Sequence, residues 1–317
     1  MIIRPSQQQE LSQADQVFRL AFGTAANLSD PLQMFGDAGY MQRWYLETGC
    51  AIVAEKDGKI IGSNFLVRWG SLGLFGPLSV HPDYWNQGIA SELMRATMEQ
   101  FEQWQIPAIT FFTSSHSAKH LWFYSKFGFS PGYLTTVLEK PVTLPVSEQS
   151  ATLYSTLSPQ QQEEALGACQ ILTDAIYKGL DLNSEIKLVA EQQLGETLLL
   201  WDDAGLASFA VCHYGVGSEG GSDNCYIKFG AVQPDPQSEE KFEELLTACH
   251  IFAAECQLSA VTAGVNTSRH RAYWQMLAQG FKIRLIGVAM HQAPIKIIVA
   301  LMFMFSMIGG SFRISLT

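Results

Sequence analysis

Charge is scarce in this chain. Asp, Glu, Lys and Arg make up 16% of its 317 residues, against roughly a quarter in an ordinary soluble domain, while hydrophobic residues make up 47%. That balance excludes disorder and predicts a core-rich globular protein of about two domains. Basic residues are the scarcest: 20 Lys and Arg face 30 Asp and Glu, a net charge of −10. A surface of that sign does not draw in phosphate backbones, so nucleic acid is not expected as a partner. The six cysteines include no C-x-x-C pair. They read as reduced thiols in a cytoplasmic protein, with neither a metal site nor a disulfide frame. No Gly-Lys-Ser/Thr is present, which excludes a P-loop, and Met1–Arg4 leads into polar sequence with no secretory pattern. Long apolar runs are missing as well. The nearest is Ile297–Ile308, twelve residues broken only by Ser306 and flanked by Lys296 and Arg313. At about 1.5 Å per residue it cannot cross a ~30 Å hydrocarbon core as a helix. A packed tail or final strand over 296–317 is the expectation, with a membrane-surface contact or a homodimer contact as the alternatives.

What is present is a repeat. Val80-His81-Pro82-Asp83 returns as Val232-Gln233-Pro234-Asp235, a shift of 152. The same shift carries Glu92-Leu93 to Glu244-Leu245, Ala108-Ile109-Thr110 to Ala260-Val261-Thr262, Trp122 to Trp274, and Gly128-Phe129 to Gly280-Phe281. A constant offset of this length marks two related lobes. Lys140–Ser150, with two prolines and a polar end, reads as the linker, which puts the lobes at 1–141 and 150–295.

Both lobes follow one plan. In the first, helices are predicted over 8–22 and 32–46, strands over 50–55 and 60–69 joined by a Lys56-Asp57-Gly58-Lys59 hairpin, and a strand over 72–80. Next are an amphipathic helix over 88–104, a strand over 108–113, a helix over 118–127 and a strand over 133–139. The second lobe repeats strands at 197–201, 206–213 and 224–232, a helix at 238–255, a strand at 259–264 and a helix at 268–279. The glycine-rich stretch 215–223 precedes a strand rather than opening a helix, so it reads as a hairpin loop reaching toward the first lobe. The fold class is α+β with a mixed central sheet.

The informative segment runs from Phe75 to Leu93. A strand ends in Val80-His81-Pro82, and a turn holding Gly88 and Ala90 opens the long helix. The first N–H groups of a helix have no partners and its dipole is positive there, so small residues at that point let an anion approach the backbone. An ordinary tight turn has the same composition.

A second segment, some thirty residues downstream, makes the first specific. Trp85-Asn86-Gln87-Gly88-Ile89-Ala90 resembles the Gln/Arg-x-x-Gly-x-Gly/Ala signature of the GNAT superfamily of acyl-CoA-dependent N-acetyltransferases, with Trp85 departing from the usual first residue. Tyr124-Ser125-Lys126-Phe127-Gly128-Phe129 resembles the family's other signature, Tyr-x-x-x-Gly-Phe. The resemblance implies two tandem GNAT-like lobes and acetyl-CoA as co-substrate. It implies that backbone groups of Leu78, Ser79 and Val80 meet the pantetheine arm, that the turn from Trp85 holds the pyrophosphate with the amides of Asn86, Gln87, Gly88, Ile89, Ala90 and Ser91, and that Ser117 stands in for an Asn that touches pantetheine. It implies that Tyr124 protonates the departing thiolate; on the residues alone, Tyr124 is equally a packed aromatic beside Phe123 and Phe127. The strand over 72–80 holds no carboxylate to act as base. His81, His116 and a water relay are the alternatives, and Asp30, Asp37 and Glu47 are candidates for the amine side.

At the same offset, Gln87 becomes Glu239, Gly88 becomes Glu240, Ala90 becomes Phe242 and Tyr124 becomes Met276. Carboxylates oppose a pyrophosphate and a thioether gives no proton, so the second lobe reads as degenerate. The expected activity is acetyl transfer to a small-molecule or peptide amine by direct attack in a ternary complex. A protein that binds acyl-CoA without turnover is the alternative.

Overall fold

The computed structural model describes residues 1–41, 48–143 and 151–292. Strand β1 (Ile2–Pro5) and helix α1 (Leu11–Ala25) open the chain, followed by β2 (Gly49–Lys56) and β3 (Lys59–Trp69). Asp57 and Gly58 turn that hairpin with φ of 52° and 74°, as a two-residue primed turn requires. Next come β4 (Leu72–Phe75), β5 (Ser79–Val80), α2 (Ile89–Gln103), β6 (Ala108–Ser114), α3 (Ala118–Ser125) and β7 (Ser130–Pro141). The rest of the chain adds β8 (Thr152–Leu153), α4 (Pro159–Ile176), α5 (Asn183–Glu191), β9 (Gly195–Asp202), β10 (Gly205–Gly215) and β11 (Gly221–Val232). It ends with α6 (Ser238–Glu255), β12 (Ala260–Asn266), α7 (His270–Ala278) and β13 (Lys282–Gln292). The tail 296–317 and most of the proposed linker lie outside the described residues.

Two expectations need correcting. In the described part of 32–46 there is no α-helix, and its start is the 3-10 turn Pro31–Gln33. Phe35 and Gly36 both take positive φ, 69° and 56°, which no right-handed helix can contain. The strand over 72–80 is broken into β4 and β5 at Gly76-Pro77.

The strands form one sheet, in the order β1-β2-β3-β4-β6-β13-β7-β12-β11-β10-β9-β8, with β5 on β3. The order shows an exchange. β13 of the second lobe lies between β6 and β7 of the first, and β7 pairs with β12 of the second. Registers obey the repeat: Ser114 faces Gly287 and Asn266 faces Thr135, the same pair of positions at the 152 offset. The loops agree: the Ser115 hydroxyl donates to the Ile286 carbonyl (3.3 Å), and the Thr267 hydroxyl donates to the Leu134 carbonyl (3.0 Å). Each lobe's sheet is therefore completed by the other's last strand.

One face of β3, β4 and β6 (Val67, Trp69, Leu72, Leu74, Ala108) packs into a common core with α4, α5 and the β10–β11 hairpin, including Leu172, Phe209 and Phe229. Burial of each such large side chain is worth about 1.5–3 kcal/mol. Trp69 Nε1 also donates to the buried Glu185 carboxylate (3.2 Å). The opposite face packs Phe75, Phe111 and Phe129 against α2 and α3. The connection between β10 and β11 does reach the first lobe. Gly217 N–H donates to the Asp37 carbonyl (2.9 Å) and Gly39 N–H to the Ser218 carbonyl (2.9 Å).

Candidate functional site

The break between β4 and β5 makes the site. β4 pairs with β6 in parallel from Leu72–Ala108 to Leu74–Thr110, whereas β5 pairs with β3 alone. β6 continues to Ser114, so a gap opens between β5 and β6. His81 N–H donates to the Ile61 carbonyl (2.8 Å), which fixes the alternation of the ladder. Ser79 then faces β3, where its hydroxyl meets that of Ser63 (3.1 Å), and Val80 directs its backbone groups at the gap. Of the three strand residues expected to meet a pantetheine arm, Ser79 is thus turned away. The Val80 carbonyl is also engaged, by the Trp85 indole N–H (2.6 Å). Trp85 is a brace that ties the turn to the strand.

At the mouth of the gap, Asn86 and Gly88 take φ of 62° and 83°, and Gly88 is the cap of α2. The turn leaves the N–H groups of Asn86, Gln87, Gly88, Ile89 and Ala90 without partners among the described residues. Ser91 is different: its N–H donates to the Gly88 carbonyl (2.9 Å), so the run of open donors stops at Ala90. Successive N–H groups in such a turn form a concavity for an anion, and the helix dipole adds to it. A Cβ built on Gly88 meets nothing within 4 Å, so the space before the donors is open. The Ile89 side chain is in the core, leaving only its amide for a ligand. The residues fit a pyrophosphate.

Tyr124 lies on α3 beneath the gap, its ring 4.2 Å from Phe111 on β6 and 6.0 Å from Phe75, the last residue of β4. Burial pushes its phenol well above the usual 10, so it is a neutral donor across the physiological range. Ser117 caps α3 by accepting from His120 N–H (3.3 Å). Among the candidate bases, His81 Nδ1 accepts from Asp83 N–H (3.3 Å), and His116 is exposed on the loop before α3. The Asp37 carboxylate takes the Ser222 N–H (3.2 Å), and hydrogen bonding from the Ser222 side chain, then from that N–H, lowers its pKa; Asp30 accepts from Leu32 N–H (3.2 Å). Glu47 lies outside the described residues.

One residue at the site was not singled out from the sequence. Lys119 Nζ donates to Asn86 Oδ1 (3.1 Å), tying α3 to the turn. Its counterpart at the 152 offset is Arg271, also basic, which is the signal that could have found it.

The second lobe closes the same place. α6 begins at Ser238, the counterpart of Asn86, and so starts about one turn earlier than α2. Helix backbone fills what is an open turn in the first lobe. Phe242 and Met276 are buried in the core there, and Glu239 pairs with Arg271.

Residues 47–131 match the sequence model of the acetyltransferase (GNAT) domain. No curated protein matches the chain. Among solved structures, a Pyrococcus horikoshii protein assigned as an acetyltransferase superposes with a TM-score of 0.68 at 13% identity, over 97% of this chain and 94% of that one. A GCN5-related N-acetyltransferase from Sphaerobacter thermophilus gives 0.57 at 13%, over 92% and 95%. A tandem GNAT protein from the clavulanic acid biosynthesis pathway gives 0.56 at 14%, over 92% and 98%. At these identities the likeness to the solved structures is one of fold. The sequence likeness to a GNAT acetyltransferase domain is confined to residues 47–131. Over its length the chain has the tandem GNAT fold.

Proposed function

We propose that the first lobe, taken as residues 1–141, is an acetyl-CoA-dependent N-acetyltransferase, and that the second, residues 150–295, is a partner lobe without a cofactor site. The observation that carries this is the run of five unpartnered amides from Asn86 to Ala90 before an open space, inside the segment that matches the GNAT domain. The pyrophosphate lies against those amides, and the pantetheine enters the gap along Leu78 and Val80. The amine nitrogen attacks the thioester carbon directly, the carbon–sulfur bond breaks, and the nitrogen loses a proton to water.

Tyr124 faces the departing sulfur. Its phenol is a weaker acid than a thiol of pKa near 8.5, so it stabilises the departing thiolate by donating a hydrogen bond, and the thiolate takes its proton from solvent. The acceptor is a small-molecule or peptide amine.

A second reading, acyl-CoA binding without turnover, is favoured by one observation: Leu72–Val80 carries no carboxylate. Calorimetry with acetyl-CoA followed by thiol release with a panel of primary amines separates the two. One site per chain with amine-dependent thiol release supports the transferase. One site without release supports the binding protein, and no binding removes both.

A further inference from the structure

The two lobes treat one position in opposite ways. In the first, Lys119 on α3 reaches the turn before α2 and donates to the neutral Asn86 side chain (3.1 Å). In the second, its counterpart Arg271 on α7 is neutralised by Glu239, the counterpart of Gln87. A carboxylate supplied by the chain thus stands against the arginine where the first lobe presents an amide and five open N–H groups. Lys119 is exposed and makes no ion pair among the described residues, so its charge is available to a ligand at the turn.

The geometry points to Lys119 as a phosphate-binding residue that holds the pyrophosphate of the acyl-CoA from the α3 side, opposite the backbone amides of Asn86–Ala90. This rests on the proposed function. Asn86 positions the ammonium in the free protein and is exchanged for a phosphate oxygen on binding. The second lobe has no need of a ligand there because Glu239 fills that role for Arg271.

The test is calorimetry of the full chain with CoA and with 3′-dephospho-CoA. Lys119→Gln weakens both by about three- to tenfold, the range for a charge-assisted contact that remains partly solvated. Lys119→Arg retains most of the affinity, and Lys119→Glu loses more than Lys119→Gln. Loss of affinity for CoA alone overturns the assignment, since the 3′-phosphate would then be the group held. Unchanged affinity in Lys119→Gln overturns it as well. If the unsubstituted chain binds neither compound, the proposed function itself fails and this assignment falls with it. Binding by the unsubstituted chain with an unaffected Lys119→Gln removes the lysine alone. Melting curves of each variant confirm the fold, which an exposed side chain leaves intact.

Discussion

Thr135 and Gly287 lie directly opposite one another across β7 and β13, and each is the other's counterpart at the 152-residue offset. The pseudo-two-fold relation between the lobes therefore passes between these two residues. It accounts for why β7 and β13 are neighbours: the exchanged strands run antiparallel through the point about which the repeat turns.

Gly287 tests the exchange. A Cβ there would lie 2.1 Å from the Phe112 ring and 2.5 Å from the Thr113 carbonyl. Gly287→Val should destabilise the chain by about 1–3 kcal/mol or more through overpacking. The loss should appear as a lower urea midpoint, and an unchanged midpoint would show that β13 does not sit against β6 as described.

Gly88→Glu places in the first lobe what the second already has at Glu240. The residue takes φ of 83°, so the variant adds local backbone strain of about 1–2 kcal/mol as well as a negative charge at the open amides. Affinity for acetyl-CoA should fall beyond detection by calorimetry while the fold survives. Retained affinity would move the cofactor elsewhere.

Tyr124→Phe keeps the ring packed against Phe111 and removes only the hydroxyl. Turnover should drop by about 10²-fold, with acetyl-CoA affinity little changed. The pH–rate profile of the unsubstituted chain should show no limb from a phenol below pH 10, because burial raises that group. A variant as active as the parent would assign stabilisation of the leaving sulfur to water.

His291, on β13, is buried with its Nδ1 2.9 Å from the Thr110 hydroxyl. Burial lowers its pKa from 6.5 to about 4. The unfolded chain takes up a proton below pH 6.5 that the folded chain refuses, so stability falls as pH drops through that window. The cost between pH 7 and 5 is about 2 kcal/mol. His291→Gln should flatten that part of the urea-midpoint profile. An equally steep profile in the variant would place the acid sensitivity on another group.

The two lobes and the open turn before α2 are legible in the sequence because both rest on local signals: a constant offset, and small residues between a Pro-ended strand and an amphipathic helix. The helix Ser238–Glu255 is observed over the expected residues. The exchange of β7 and β13 could not be read this way. The registers Ser114–Gly287 and Asn266–Thr135 use the same residue types whether a strand returns to its own lobe or crosses to the other. No residue pattern distinguishes the two. Positive φ at Phe35, a bulky aromatic that packs against the Phe18 and Tyr40 rings, is likewise absent from any local signal in the sequence. Ser79 and Ser91 were misplaced at the level of single amides, where only the ladder alternation and the helix cap decide which way a backbone group points.

The crossing of β13 into the first lobe has a consequence for synthesis. Chains generally acquire structure from the amino terminus onward as they are made. Here β6 is complete long before β13, its neighbour in the finished sheet, has been translated. During that interval the edge of β6 is either bare, which is an invitation to pairing with other chains, or covered provisionally by β7. In the second case β7 gives up that place to β13 and pairs with β12 when the last strand arrives. The nascent first lobe therefore matures only after the second has been made.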